Sequence, residues 1–517
     1  MKKEIAEKFL FTVIFLGVMV LLIPSYSAAL PPIKLGEETE VTFYGWVRNN
    51  TGMFLDNPQV GSHSSNDLAT ERTWFRGYTD FKITNELRFW SAVQFAYEPY
   101  YPFERGSISS RVPTQMAGLV EPNAKEYSEY NNVNDFLREA YLEWRPAKGH
   151  DIKIGRQIAI WGEALTTRVG DVVHPDDQRF TLAFANLEDT RIPSWMARGI
   201  HEIPALSSSF EWIYNPNLVQ NKYTVNRSGN SAIPVFGLAG QRFAISPEDR
   251  VLIFPPLLRD FPFNIPSFSE QFPKGWGEFA RGGIRTNTTL SGYNFGLSYF
   301  HTQNYDPVIK RGGIINPGVP GIVPPTREYT LSHPQIDIIG GYVNKQLPWP
   351  GVIRAEVIYV PNKPFNTFDL RDTDAIVRRD YIKYMIAYDL NSFFYFNWHK
   401  TAPFDITFEH VGEVIPKNKN IQYIIYNNEQ RQWNPSFNMS ISTNWLYNKI
   451  STQLIASYFP WGTSGLIMPV VKYTPAWLNQ AFSFELRYIN VFGRNRYTGL
   501  GILQQKDMIV CTTQFNW

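Results

Sequence analysis

Residues 159–195 gather ionisable and bulky aromatic side chains more densely than their surroundings. They hold Glu163, Arg168, Asp171, His174, Asp176, Asp177, Arg179, Glu188, Asp189 and Arg191 among Trp161, Phe180, Phe184 and Trp195, with Arg156 just ahead. Two chemistries fit such a set. Opposed Arg and carboxylate groups at a narrowing create a transverse field that sorts solutes by size and charge. The same groups can instead pair with one another and brace a wall, because unpaired charge away from water is costly. Bracing is the favoured reading of the set. The candidates for a pore constriction are Arg156, Trp161, Glu163, Arg168, Asp171, Asp176, Asp177, Arg179, Asp189 and Arg191. His174 lies among Asp171, Asp176 and Asp177, as a metal site would require. Asp beside Pro175 is ordinary turn chemistry, so a hydrogen-bonded turn is expected there, with no metal and no cofactor.

Catalytic patterns are weak elsewhere. No HExxH, GxSxG, Walker A or GxGxxG segment stands in a supporting strand–helix context. His63, His150, His174, His201, His301, His333, His399 and His410 are scattered along the chain, and no Ser/His/Asn set is specific enough to nominate. The expectation is a protein without enzymatic activity. A single Cys excludes an internal disulfide framework or a Cys-rich zinc site.

The elements that would position these residues are strands. Aromatic residues make up 15% of the chain and charged ones only 19%, against a usual charged share of about 25%. The formal net charge of +2 is too balanced for a general nucleic-acid binder. Mean hydropathy is −0.27, which excludes a bundle of membrane helices. The one long apolar run, Phe9 to Ile23, follows Lys2, Lys3 and Lys8 and precedes Pro24 and Ser27-Ala28-Ala29. That order is a secretory signal peptide, expected to be removed as residues 1–29, leaving residues 30–517 as one barrel.

Period-two runs fill the rest. Phe437, Met439, Ile441, Thr443 and Trp445 alternate with Asn438, Ser440, Ser442 and Asn444. Tyr293, Phe295, Leu297 and Tyr299 alternate with Asn294, Gly296 and Ser298, and Ala140, Leu142 and Trp144 with Glu139, Tyr141 and Glu143. A helix would space its apolar residues three and four apart. Runs of roughly ten residues suit tilted strands crossing a bilayer. The polar faces of Ser, Asn, Gln and Arg suit a water-filled lumen. A soluble propeller or sandwich would give the same alternation. Short turns alternate with longer loops near 100–134, 216–275, 305–332 and 361–377, and aromatics such as Trp144, Trp349, Trp445, Tyr447 and Trp477 stand at strand ends. Both features suit a barrel with aromatic girdles. The expected fold is therefore all-β, a single transmembrane antiparallel barrel of about 16–18 strands, with the 159–195 segment folded inward. Residues 251–273 form an unusually apolar Phe/Pro loop, either an entry lid or, as favoured, a stiff loop tucked into the mouth.

Ile509, Cys511, Thr513, Phe515 and Trp517 alternate to the end of the chain. This resembles the terminal aromatic strand that the outer-membrane barrel assembly machinery of Gram-negative bacteria reads, with Phe515 and Trp517 as the signal and Trp in place of the usual Phe. A second resemblance rests on Gly155-Arg156-Gln157 through Trp161-Gly162, then Asp171-Val172 through Pro175 and Asp177, then Asp189, Arg191-Ile192-Pro193 and Trp195. These residues resemble a Gram-negative outer-membrane family defined only as a domain of unknown function, with His174 where that family has Asn. The resemblance is close over residues 135–204 and loose over the remainder, and it implies a porin-like barrel. The expected role is passive passage or uptake of small-molecule solutes across the cell outer membrane. No plug or TonB-box region is read before the first strand, at about residue 40. The expected partners are outer-membrane lipid, the assembly machinery and the solute, with no nucleic acid, and with a homo-oligomer or a periplasmic partner left open. The alternatives are a structural sheath around a periplasmic or lipoprotein partner, an uptake barrel for hydrophobic compounds, and a rim-located lipid hydrolase.

Overall fold

A computed structural model describes residues 31–55, 68–97, 136–177, 187–221, 226–228, 231–233, 268–306, 308–316, 326–367, 374, 376–393, 402–417, 421–422, 432–478, 481–494 and 507–517. The expected signal peptide, the loop at 100–134, Arg179 and most of the Phe/Pro stretch lie outside the described residues.

Eighteen antiparallel strands close into a barrel. They are β1 (Glu40–Phe54), β2 (Leu68–Lys82), β3 (Leu87–Tyr97), β4 (Leu137–Ala147), β5 (His150–Gln157) and β6 (Ser194–Ile203). Next come β7 (Ser208–Tyr214), β8 (Gly282–Leu290), β9 (Tyr293–Gln303), β10 (Gln335–Gln346), β11 (Val352–Thr367) and β12 (Ile376–Phe393). The last are β13 (Phe404–Val414), β14 (Trp433–Trp445), β15 (Ile450–Phe459), β16 (Ser464–Tyr473), β17 (Phe482–Gly493) and β18 (Met508–Asn516). Each pairs with the next, and β1 pairs with β18 from Trp46↔Asn516 to Phe54↔Met508. Among the described residues closure leaves the barrel sheet without an edge strand, which matters because a bare backbone group in hydrocarbon costs several kcal/mol.

The seam depends on a glycine. Gly45 and Trp517 exchange backbone hydrogen bonds of 2.9 and 3.0 Å, and the Trp517 ring stacks on Phe75 at 6.2 Å. A Cβ at Gly45 would lie 2.7 Å from that ring, so no other residue lets the terminal indole lie flat there. At one end of the barrel the connections are tight. Ser291-Gly292, with φ of 52° and 73°, has the left-handed pair that a two-residue hairpin needs. The connections at the other end include the longest ones.

The two faces follow the sequence period. Leu297 is 68% exposed and Ile154 60%, whereas Gln94, Glu143 and Asn438 are buried. The first kind points outward as an apolar belt and the second points into the lumen. Trp349, Tyr447 and Trp477, all exposed, ring the tight-turn end, where amphipathic rings suit a membrane interface. Cys511 is a free thiol on the outward face.

Four expectations change in detail. The loop expected at 361–377 narrows to 368–375, because β11 and β12 keep pairing past a bulge between Val360 and Lys363. The loop expected at 305–332 contains a hairpin, Val308–Asn316 against Thr326–Ser332, joined by Phe268–Gln271 from the loop expected at 216–275. The inward segment ends where β6 begins at Ser194, and Trp195 is 44% exposed on the strand, apart from the segment's charges. The lumen face is also not polar throughout. Phe300, Ile338, Ile358, Met385 and Val411 point inward from β9–β13 and are buried, because residues 159–173 cover them.

Candidate functional site

The connection from β5 to β6 folds into the lumen and follows the wall strand by strand. The Trp161 indole N–H donates to Glu211 on β7 at 2.9 Å, and the ring meets Phe300 on β9 edge-on at 5.5 Å. The Trp161 carbonyl accepts from Arg285 on β8 at 3.0 Å. Farther along, the Glu163 backbone N–H donates to Glu356 on β11 at 3.1 Å, while its carbonyl accepts from Arg354. The Leu165 and Thr166 amides then donate to the two carboxylate oxygens of Glu409 on β13, at 2.8 and 3.0 Å. An irregular chain cannot satisfy its own backbone donors, so wall carboxylates do so; buried donors without partners would cost about 1–3 kcal/mol each. Beneath these bonds Ala159, Trp161, Val169 and Val173 pack on the apolar inner wall. Burying each large side chain there contributes about 1.5–3 kcal/mol.

The return path is held by its own charges. Arg168 Nε lies 3.1 Å from Asp171, and the same guanidinium pairs with Asp176. Arg191 Nε donates to Asp171 at 2.7 Å. Asp176 and Arg191 also form a β-bridge, with the Asp177 amide donating to the Thr190 carbonyl at 2.6 Å. His174 is a structural pin. Its Nε2 accepts from the Ala159 amide at 2.8 Å, and its Nδ1 faces the Ile192 carbonyl at 3.1 Å, which assigns the Nδ1–H tautomer from the network. Burial pushes its pKa down to about 3, so the ring is neutral. Among the described residues no group of three or more His, Cys, Asp or Glu is placed to hold a metal ion.

The segment ends against the opposite group of strands. Asp189 accepts from Arg48 on β1 at 3.0 Å and from Arg76 on β2 at 2.8 Å. Arg138 on β4 donates to the Glu188 carbonyl at 2.6 Å. Burial alone would raise the Asp189 carboxyl, but the guanidinium groups of Arg76 and Arg48 outweigh it and hold the pKa below the ordinary range. Asp176 moves the other way, raised chiefly by burial despite Arg168.

The structure thus brings Arg168, Asp171, Asp176 and Arg191 into one compensated cluster, and joins Asp189 to the wall. Trp161 and Glu163 stand apart, at β7–β11. Asp177 is buried beside the bridge, and Arg156 is buried on β5 with its Nε donating to the Arg138 carbonyl at 3.1 Å. Phe515 and Trp517 lie at the β1–β18 seam. Sequence reasoning missed the wall partners Arg48, Arg76, Glu211, Arg285, Arg354, Glu356 and Glu409. The available signal was a charged residue between outward apolar neighbours, as Glu356 stands between Ala355 and Val357.

The contacts given above all land on β1–β13. On β14–β18 the inner face carries small polar groups towards the tight-turn end, and buried apolar ones, among them Leu466, Met468, Ile489, Val491, Met508 and Val510, towards the other. Gln453 donates to Ser440 at 3.1 Å, and Arg487 pairs with Glu485 at 2.7 Å.

A family model described as a protein of unknown function (DUF1302) matches residues 48–515. No curated protein matches the chain. Among solved structures, the outer membrane channel DcaP of Acinetobacter baumannii is 8% identical, covering 94% of this chain and 100% of that one at a TM-score of 0.41. OccAB3 of the same organism is 7% identical, with coverages of 92% and 99% and a TM-score of 0.45. OmpF of Salmonella typhi in complex with daunomycin is 9% identical, with coverages of 94% and 100% and a TM-score of 0.38. Superpositions this loose transfer neither geometry nor function.

Proposed function

The chain belongs to this family of unknown function, and from that premise we propose that it is a passive channel of the Gram-negative outer membrane, carrying small molecules down their gradients. The observation that carries the reading is the unequal lumen. One side is lined by the braced segment, while the β14–β18 side presents Ser440, Ser442, Gln453, Ser483 and Gln514 as a polar stretch towards the tight-turn end for a solute path. The outward apolar belt and the interfacial aromatics support residence in outer-membrane lipid. The terminal strand that closes the seam suits recognition by the barrel assembly machinery. Within the channel, the segment acts first as a brace, because its Arg and Asp groups compensate one another. Only what remains exposed at its edge, such as Arg48, filters by charge.

Planar-bilayer recording of the refolded mature chain tests this. Stable ohmic steps are expected. Silence from protein whose heat-modifiable gel migration shows it to be folded would overturn the channel and turn attention to a sheath around a partner.

A further inference from the structure

The lumen face of β1–β4 carries a feature that bracing does not use. Tyr44, Tyr78 and Trp90 lie on the inward parity that Arg48 and Arg76 share. Tyr44 and Tyr78 stack with centroids 5.0 Å apart and planes at 22°. Trp90 closes the cluster at 6.0 Å from Tyr44 and 5.7 Å from Tyr78. Tyr141 is the cross-strand neighbour of Trp90, and Lys153 sits over its ring at 5.4 Å. All four rings keep part of their surface open. Aromatic rings turned towards water forgo the burial that would normally stabilise them, and these four are only partly buried among the described residues.

Beside the rings lies a cavity of about 220 Å³, lined by ten residues that include Asp80, Lys82, Glu86, Arg88, Glu143 and Arg145. Arg88 joins the two features, since its guanidinium lies 5.5 Å from the Trp90 ring centre and pairs with Asp80. The lining offers donors and acceptors of both signs. An open aromatic surface next to a small cavity of mixed polarity fits a flat ring with a polar substituent. The ring stacks, and the substituent meets the charged rim.

We propose that Tyr44, Tyr78, Trp90 and Tyr141 form a docking shelf for small planar aromatic solutes bearing polar substituents, at the tight-turn end of the lumen. This rests on the lumen being a solute path, and it names the solute class. Binding is measurable without conduction, so the two claims fail separately.

The test is a ligand-observed NMR titration of the full refolded chain in detergent micelles, with benzamide and its saturated counterpart cyclohexanecarboxamide as probes. Benzamide is expected to bind at least about fivefold more tightly than the saturated probe, the scale of one or two ring-stacking contacts. Trp90→Leu should abolish that preference and Trp90→Phe should retain it, with heat-modifiable migration confirming that both fold. Equal binding of the two probes, or a preference untouched by Trp90→Leu, would overturn the shelf. Ring-selective binding by a protein that conducts no current would leave the shelf standing and remove the channel.

Discussion

The inner wall of β7–β13 and that of β14–β18 belong to one barrel with one side-chain period, yet their chemistry differs: the first is apolar beneath a folded segment, and the second is polar over the part nearer the tight turns. On the first, Phe300, Ile338, Ile358, Met385 and Val411 point inward and are buried, with Glu211, Glu356 and Glu409 spaced among them. On the second, Ser440, Ser442, Gln453, Ser483 and Gln514 face inward towards the tight-turn end, whereas Leu466, Met468, Ile489, Val491, Met508 and Val510 face inward and are buried towards the other. A strand's inward face takes the character of whatever it meets. Where a folded segment covers it, apolar packing plus a few carboxylates for stray backbone donors is stable. Where water covers it, small polar residues suffice. On β7–β13 the apolar inner positions mark where the segment packs.

The comparison can be broken most severely by removing the cover. Replacing residues 160–191 with a short Gly/Ser linker should raise single-channel conductance severalfold and add binding of a hydrophobic dye inside the barrel. Unchanged conductance in a folded variant would mean that the segment does not narrow the path.

A smaller effect comes from the tether. Asp189→Ala leaves Arg48 and Arg76 facing each other without their shared carboxylate. Breaking a mostly buried pair in this way should cost about 2–3 kcal/mol, read as a lower unfolding midpoint. On the bare wall Glu485→Gln, which removes a partly exposed pair, should cost about 0.5 kcal/mol. Equal losses at the two sites would erase the distinction between the walls.

Acid should act on the covered side. The folded His174 pKa, about 3, lies below the value of about 6.5 for a free imidazole. Between those values the unfolded chain binds a proton that the folded chain refuses, so stability falls as pH drops from about 6.5 towards 3. The lowered Asp189 carboxyl adds in the same direction at the acid end, its contribution being lost as pH falls through its folded pKa. The protection of the amides at residues 158–177 against hydrogen exchange, taken relative to the intrinsic rate at each pH, should therefore fall between pH 7 and 4, and His174→Gln should flatten that dependence. A slope unaffected by the substitution would assign the acid sensitivity elsewhere.

The smallest effect is expected for Ser440→Ala on the bare wall, within about 0.5 kcal/mol and without change in unitary conductance. A large shift there would show that this wall has packed partners of its own.

Much of the barrel is readable from local pattern. Alternation such as Phe437-Asn438-Met439-Ser440 sets lipid and lumen faces within a few residues, because a strand turns successive side chains to opposite sides. The charged block at 159–191 stands out because it breaks that period. Its ion pairs among Arg168, Asp171, Asp176 and Arg191 are the contacts a brace would need, and His174 makes its hydrogen bonds to Ala159 and Ile192. The alternation ran out where strands outlast their turn-like sequence, as at Pro361-Asn362-Lys363-Pro364, which reads as a loop and is carried into β11 by its ladder with β12.

By itself, then, the sequence determined an all-β chain with an outward apolar face, a strand length suited to a bilayer and one segment too charged to belong in the wall. Those properties depend on residues two apart, and two-residue periodicity survives in a linear string. Only the tertiary structure decided that Asp189 meets Arg48 and Arg76, 141 and 113 residues away, and that Glu409 caps amides at 165 and 166 from across more than 240 residues. It also decided which wall the segment covers. Such partners come together through barrel closure and strand register, and a charge in the sequence carries no mark of the distant group that will neutralise it.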